Sequence, residues 1–202
     1  MTDIHTLTLA DVVWRPGGKY RALREATLVL AGAALMALSA KVNVPMYPVP
    51  MTMQTFAALV IGMTLGWRRA GAALSVYLLE GAVGLPVFAT GGGPAYLLGP
   101  TGGYLLGFLV AAVSVGWLAE RGWGRTFLTA FLANAMGTAT IFSLGVGWLT
   151  VVLTTSSSMN ASGAFDRALA SGLYPFMFGA VVKTVLASVG LPAAWTILGH
   201  KH

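Results

Sequence analysis

The sequence predicts an all-α membrane protein that crosses the bilayer several times. Of its 202 residues, 56% are hydrophobic and only 9% are charged, and the mean hydropathy is +0.77. These values differ strongly from those of soluble domains. The apolar residues fall into segments that are separated by short stretches rich in charge, proline or glycine, as is typical of helices in a bilayer. The composition therefore indicates an integral membrane protein.

Six apolar segments are predicted to be transmembrane helices. The second and third are shorter than the roughly twenty residues that a straight spanning helix needs, and short helices of this kind are typical of a cavity wall. We expect one membrane domain over 1–202, with an N-terminal segment at 1–21, a six-helix bundle at 22–198 and a tail at 199–202. The predicted segments are 22–40, 53–67, 70–83, 102–119, 126–153 and 173–198.

The first segment follows a polar stretch in which residues 6–14 alternate apolar and polar side chains. This stretch either lies on the membrane surface or is a disordered tail. Within the segment, Ala33 and Ala37 are four residues apart and so share one helical face. Small residues at this spacing let another helix approach closely, although in an alanine-rich helix the spacing also arises by chance.

Proline and glycine shape the connections that follow. Three prolines within residues 45–50 predict an extended entry to the second segment, and Arg68 and Arg69 mark a basic turn before the third. Residues 80–108 hold too many prolines and glycines for a continuous helix. At membrane depth such backbone is tolerated only where protein buries it or where it lines a cavity. The alternative is a glycine-rich outer loop that only turns the chain.

The last segments are bounded by polar sequence. The fourth ends at Glu120, and the fifth is followed by TTSSSMNASGAFDR, whose serine and asparagine content predicts a polar loop. The sixth is predicted to be interrupted by Pro175, Gly179, Gly190 and Pro192.

Lysine and arginine are distributed unevenly between the two ends of the predicted helices. An even number of crossings puts both termini on one side, and the positive-inside rule makes that side the cytoplasm. The net charge of +6 fits this orientation better than a phosphate-binding surface, so we expect no nucleic-acid partner. Only Lys41 and Arg167 fall on the outer side, whereas the terminal side carries Arg15, Lys19, Arg21, Arg24, Arg68, Arg69, Arg121, Arg125 and Lys201.

The sequence lacks the residues that intramembrane enzymes need. It has no cysteine, and its three histidines lie at the chain ends, at His5, His200 and His202. Glu80 is the only carboxylate clearly inside the predicted bundle, and there is no phosphate-binding GxxxxGK[ST] loop. The predicted bundle therefore lacks the residues that nucleophilic, metal-assisted or paired-carboxylate catalysis requires. We expect no catalytic residue, no metal and no cofactor.

A few polar residues fall at similar depth in the predicted bundle. Glu80, Asn134 and Lys183 each lie about 13–15 Å along a predicted helix. Ionisable groups at that depth are costly and normally face the bundle interior or water. One interpretation is structural, with Glu80 and Lys183 neutralising each other and Asn134 bonding a neighbouring helix. The other is a ligand site, to which Gln54 and the helix start at Thr101, Gly102 and Gly103 would contribute.

Four stretches of the chain resemble one known family. They are VPMYPVPMTMQTFAALVIGMTLG at 44–66, GLPVFA at 84–89, LLGPTGGYLLGF at 97–108 and LYPFMFGAVVKTVLA at 173–187. These motifs are similar to those of the BioY family, the biotin-binding S components of energy-coupling-factor (ECF) vitamin transporters. The resemblance extends over about 22–198, which is nearly the whole chain.

The resemblance implies a biotin-capture subunit without enzymatic activity in the bacterial cytoplasmic membrane. It also implies a transmembrane coupling subunit and a pair of ATPases as partners, although some family members are thought to act alone. Ala33 and Ala37 would dock the coupling subunit. The alternatives are an S component for thiamine or riboflavin, and a membrane enzyme or scaffold. The residues expected to contact biotin are Gln54, Glu80, Phe88, Tyr96, Thr101, Gly102, Gly103, Tyr104, Asn134 and Lys183.

One position departs from the family pattern. Family members commonly carry an aspartate three residues before the lysine of the last helix, where this chain has Ala180 before Lys183. Alanine cannot accept a hydrogen bond from its side chain. Our hypothesis from the sequence is that Glu80 supplies the missing carboxylate.

Overall fold

The computed structural model describes residues 8–14, 20–157 and 159–199 as a helical bundle. Gly66, with φ of +80°, is the only residue between the third and fourth helices, and a short antiparallel hairpin precedes the third. A 3₁₀ turn at Tyr174–Phe176 precedes the last helix. The helices and strands are α1 (Leu9–Val13), α2 (Arg21–Lys41), β1 (Asn43–Val44), β2 (Met51–Thr52), α3 (Gln54–Leu65), α4 (Trp67–Ala82), α5 (Pro94–Leu97), α6 (Gly102–Ala119), α7 (Phe127–Ser157), α8 (Ala161–Gly172) and α9 (Met177–Gly199).

The long helices coincide with the predicted segments. Among the described residues, four stretches are long and apolar enough to cross a membrane: Arg21–Lys41, Gly102–Ala119, Phe127–Ser156 and Ala161–Ile197. Helix α3 is apolar but short, and the fourth stretch combines α8 with α9. The chain is therefore a mostly helical, multi-pass membrane protein.

The polar sequence after α7 is helical, which corrects the prediction of a loop. Helix α7 continues to Ser157 because the hydroxyl groups of Thr154 and Ser156 donate to carbonyls one turn earlier and need no water. Helix α8 begins at Ala161, after Asn160 accepts a hydrogen bond from the amide of Gly163 at 3.0 Å. The loop that composition predicted is reduced to a short connection.

The predicted interruption of the last segment is also corrected. Helix α9 runs through Gly179, Gly190 and Pro192, and the break lies before it, around Pro175. Proline and glycine are tolerated in membrane helices because neighbouring groups satisfy the freed backbone.

Helix α6 is the centre of the bundle and packs against α3, α4 and α7. Glycine permits the closest approaches between these helices. A Cβ atom on Gly62 of α3 would lie 2.6 Å from the carbonyl oxygen of Ala112, and one on Gly107 would lie 2.9 Å from the Cα atom of Ile141. Backbones that approach this closely gain van der Waals contact, which is the main force between helices in lipid.

An ion-pair network fastens α1 to the bundle. Arg24, whose side chain is 2% exposed, contacts Asp11 at 2.9 Å and Glu25 at 2.7 Å, and Arg69 of α4 also contacts Asp11 at 2.9 Å. Burial alone would raise the pKa of Asp11, but hydrogen bonds from Arg69 and Arg24 outweigh it and lower this pKa to about 2. The network therefore joins α1, α2 and α4 at one end of the molecule.

We predict that Asp11→Asn lowers the free energy of unfolding at pH 7 by about 2 kcal/mol, because the folded-state pKa of Asp11 lies below its ordinary value of 3.8. The contribution of this carboxylate is present above its unfolded-state pKa and is lost as the pH falls from about 4 towards 2. Thermal unfolding in detergent measures the difference. Asp166→Asn, at an exposed position of α8, is the matched control and should leave stability unchanged.

Candidate ligand-binding cavity

A cavity lies where the β1–β2 hairpin, the 83–101 connection, the first turns of α6 and α9 and the middle of α7 meet. About 570 Å³ of space separates its lining atoms, counting the part that opens to the outside. The lining is largely apolar, with a few polar side chains on the hairpin and α9.

The hairpin brings polar groups to the cavity. Asn43 pairs with Thr52 and Val44 with Met51, which turns the proline-rich chain back on itself and starts α3 at Gln54. The side-chain amide of Gln54 donates to the hydroxyl of Tyr77 at 2.7 Å. The amide oxygen of Gln54 accepts a hydrogen bond from the hydroxyl of Thr52 at 3.3 Å, and its second lone pair can accept one more.

Lys183 supplies the cationic group among the lining residues of the described chain. Its Nζ atom donates to the backbone carbonyl of Thr52 at 2.7 Å, which links α9 to the hairpin. An ammonium group has three donors, so a bound ligand can accept from the remaining two. Lys183 thus holds the hairpin in place and also presents positive charge to the cavity.

Aromatic side chains form the apolar wall. Tyr104 and Phe142 meet edge to face with 6.3 Å between ring centroids, and the ring centroids of Phe142 and Phe176 are 6.4 Å apart. The hydroxyl of Tyr104 donates to the carbonyl of Gly172 at 2.7 Å and is thereby satisfied inside the bundle. Phe108 and Tyr96 complete this wall, which suits a flat apolar ring.

The connection above the cavity is held by Lys41, at the end of α2. Its Nζ atom donates to the carbonyls of Pro86 at 2.6 Å and Phe88 at 2.7 Å. Phe88 stacks on Tyr96 with 5.0 Å between ring centroids and also packs on Gly81, where a Cβ atom would collide with its ring. Lys41 and Phe88 therefore fix the segment that carries Ala89 and Tyr96 to the cavity.

The structure brings together five of the predicted residues, which all line the cavity: Lys183, Gln54, Tyr96, Thr101 and Tyr104. Their contact with a ligand stays a prediction. Other lining residues were not predicted from the sequence, because they are apolar side chains within helices or contribute only a backbone carbonyl. Neither feature marks a residue as part of a binding site. A hairpin predicted from the prolines could have suggested Thr52, but nothing distinguished the aromatic residues from ordinary core. The missed lining residues include Met51, Thr52, Phe108, Ile141, Phe142 and Phe176.

The other predicted residues lie outside the cavity lining. Asn134 is 0% exposed and donates to Ser188 of α9 at 3.0 Å, which matches the structural interpretation of that residue. Phe88 is 0% exposed behind Tyr96. Gly102 and Gly103 pack closely against Trp148 of α7.

Glu80 also lies outside the lining, half-buried and two residues before the end of α4. The ion pairs among the described residues join Arg24 and Arg69 to Asp11 and Glu25, and none joins Glu80 to Lys183. The hypothesis that Glu80 replaces a carboxylate beside Lys183 is therefore corrected. The reason is that distance along a helix gives depth in the bundle but not the direction of a side chain.

The docking surface predicted at Ala33 and Ala37 needs a similar correction. Ala33 is 1% exposed in the core and Ala37 packs against the same cluster, so this face of α2 meets the bundle interior. The exposed face of α2 carries Ala22 and Ala26, which repeat the four-residue spacing. The predicted basic residues Arg15, Lys19 and Lys201 and the three histidines lie outside the described residues.

Known proteins resemble this chain over most of its length. The sequence model described as the BioY family matches residues 10–200. "Biotin transporter BioY" of Thermotoga maritima is 34% identical over 165 residues, which cover 80% of this chain and 91% of the relative. "Biotin transporter BioY2" of Lactococcus lactis subsp. cremoris is 35% identical over 176 residues, which cover 86% and 91%.

A solved structure shares the fold. The crystal structure of the S-component for biotin from an ECF-type ABC transporter superposes with a TM-score of 0.70, covering 88% of this chain and 93% of that one. The sequence identity is 20%, so this likeness shows the fold alone.

We predict that Lys41→Met raises the hydrogen-exchange rate of backbone amides in residues 85–93 by about tenfold, because two charge-assisted hydrogen bonds to this segment are lost. Exchange followed by mass spectrometry measures the effect. Arg167→Met, at an exposed position of α8, removes a charge without touching the segment and is the control. Equal exchange in the two variants would show that Lys41 does not hold this connection.

Proposed function

The chain belongs to the BioY family, and on that premise we propose that it captures biotin outside the cell for uptake across the membrane. The relatives named as biotin transporters align with most of this chain. The observation that carries the proposal is the cavity, in which Lys183 and Gln54 offer polar contacts beside an aromatic wall. The proposed activity is binding and transport, with no chemical conversion of biotin.

Biotin has the chemistry that this cavity complements. Its ureido group has two N–H donors and one carbonyl acceptor, and the amide oxygen of Gln54, which lines the cavity, has a second lone pair that can accept from such a donor. Its thioether ring is apolar and can lie against Tyr104 and Phe142. Lys183 supplies a charge-assisted hydrogen bond to an oxygen of the ligand. We assign Tyr96 and Thr101 to the entrance, beside the outer connection.

We propose six membrane crossings, made by α2, α3, α4, α6, α7 and α9, with both termini in the cytoplasm. The described basic residues support this orientation. Arg24 and Arg69 share one ion-pair network, Arg125 lies 5.1 Å from the ring of Trp195 near the end of α9, and the cavity lies at the other end of the bundle. By the positive-inside rule the cavity then opens to the outside of a bacterial cytoplasmic membrane.

We propose that a transmembrane coupling subunit and a pair of ATPases energise uptake. The exposed face of α2, with the small residues Ala22 and Ala26, offers the close approach that a partner helix needs. The matching structure comes from an ECF-type ABC transporter, which is consistent with such an assembly.

The purified protein should retain radiolabelled biotin, and unlabelled biotin should displace it where thiamine and riboflavin do not. Lys183→Met should lower the affinity for biotin by at least tenfold, because a partly buried charge-assisted hydrogen bond contributes about 1.5–3 kcal/mol. Equilibrium binding to purified variants of equal thermal stability measures this loss.

Glu80→Gln is the matched control, since it removes a charge near the outer end of α4 but outside the cavity lining. Its affinity should stay within about twofold of the wild type, which corresponds to less than half a kcal/mol. A loss of affinity in Glu80→Gln comparable to that in Lys183→Met would contradict this assignment. Displacement by thiamine or riboflavin would contradict the choice of biotin.

We predict that Ala180→Asp strengthens biotin binding about fivefold. Ala180 lines the cavity and lies one helical turn before Lys183, so a carboxylate there can pair with the ammonium group and accept from a ureido N–H. Ala180→Asn, which has nearly the same size and no charge, separates the effect of charge from that of shape. Calorimetric titration of both variants gives the comparison, and weaker binding by Ala180→Asp would refute the prediction.

A further inference from the structure

A second groove lies between α4, α6 and α7, towards the end of the bundle that carries the ion-pair network. About 890 Å³ of space lies between its walls, and it opens outward. The hydroxyl of Ser114 donates to the carbonyl of Val110 at 2.8 Å within α6, so it is already satisfied. The walls therefore suit hydrocarbon. They are formed by Trp67, Val113, Ser114, Trp117, Leu118 and Met136.

Two arginines are fixed on the rim of this groove by its own tryptophans. The guanidinium carbon of Arg121 lies 3.3 Å from the ring centroid of Trp117, and that of Arg68 lies 5.0 Å from the ring of Trp67. Both arginines are exposed. The Nη1 atom of Arg121 also donates to the carbonyl of Trp117 at 3.0 Å, which leaves most of its N–H groups for another partner. The cations thus lie directly above an apolar groove.

The positive charge of the rim is poorly balanced by the protein. Among the described residues, ion pairs are made by Arg24 and Arg69 and not by Arg68 or Arg121. Glu120 lies near both rim arginines, but it accepts a hydrogen bond from the amide of Trp67 at 3.2 Å. Burial raises the pKa of Glu120 and so disfavours its charged form, although the charges of Arg68, Arg69 and Arg121 oppose this shift. An external anion would complete the site.

We propose that this groove binds an anionic phospholipid. An acyl chain would lie along Val113, Leu118 and Met136, and the phosphate would accept hydrogen bonds from Arg68 and Arg121. Tryptophan prefers the depth at which headgroup and hydrocarbon meet, and basic pockets between helices on the cytoplasmic side bind anionic headgroups. A soluble phosphate compound would leave the apolar walls uncovered, and a zwitterionic lipid would leave the arginines unbalanced.

Native mass spectrometry of the full-length protein, released from detergent with added phosphatidylglycerol or phosphatidylcholine, tests the proposal. The wild type should retain phosphatidylglycerol in preference to phosphatidylcholine. The double variant R68Q/R121Q should retain on the order of tenfold less, because each arginine near an anionic headgroup contributes substantially to its binding. The control R21Q/R167Q removes two exposed arginines away from the groove and should retain lipid like the wild type.

A second variant tests the apolar part of the site without changing charge. Ser114→Phe places a ring in the groove and should also reduce retention of phosphatidylglycerol, whereas glycerol 3-phosphate should not displace the lipid from the wild type. Equal retention of the two lipids by the wild type would overturn the proposal, as would unchanged retention by R68Q/R121Q. Displacement by glycerol 3-phosphate would identify a phosphate site instead. If R68Q/R121Q retained lipid like the wild type but no longer co-purified with other transporter subunits, the groove would be a protein interface. That result would also overturn the proposal.

Discussion

The site depends on holding two irregular stretches of backbone in place at the outer end of the bundle, between α2 and α3 and between α4 and α6. Where such backbone packs against the helices and loses contact with water, its peptide groups need partners inside the protein. Two lysines provide them. Lys41 donates to the carbonyls of Pro86 and Phe88, and Lys183 donates to the carbonyl of Thr52. The cavity lies between these two fastened segments, so the contacts that satisfy the backbone also shape the site.

Charge divides the molecule into two ends. The ion pairs of Arg24 and Arg69 with Asp11 hold α1, α2 and α4 together at one end, where their hydrogen bonds offset the cost of burying these charges. At the other end a single cation, Lys183, faces the cavity without a carboxylate partner among the described residues. Paired charges suit a structural role, whereas an ammonium group with unused donors suits a ligand.

The sequence was sufficient for most of the long helices and for part of the site. Hydropathy located α2, α6 and α7, because crossing a bilayer requires long apolar runs. Helix α8 was missed because its buried stripe consists only of alanine and glycine, at Ala164, Ala168 and Gly172, in a segment otherwise rich in polar residues.

Residues of the cavity lining were predicted where they belong to a motif and also lie at the start of a helix. The prediction failed for residues that were chosen only by their depth along a predicted helix. Gln54 and Thr101 lie at helix starts that face the cavity, so their position along the chain also gave their direction. Asn134 was predicted at the same depth as Lys183, but its side chain faces α9. The sequence does not give the rotation of a helix about its axis, so this direction could not be predicted. Phe142 lines the cavity from within a helix rich in apolar residues, and nothing in that composition distinguishes it from core.

The double role of Lys183 determines how ligand binding would affect the hairpin. If the ammonium group had a single donor, a ligand oxygen would replace the carbonyl of Thr52 and release β2 from α9. With three donors, the ligand can add a hydrogen bond while the one to Thr52 remains. Alanine at position 180 places no carboxylate beside those donors. A bound ligand would then bridge α9 and the hairpin and make the outer end of the bundle more rigid.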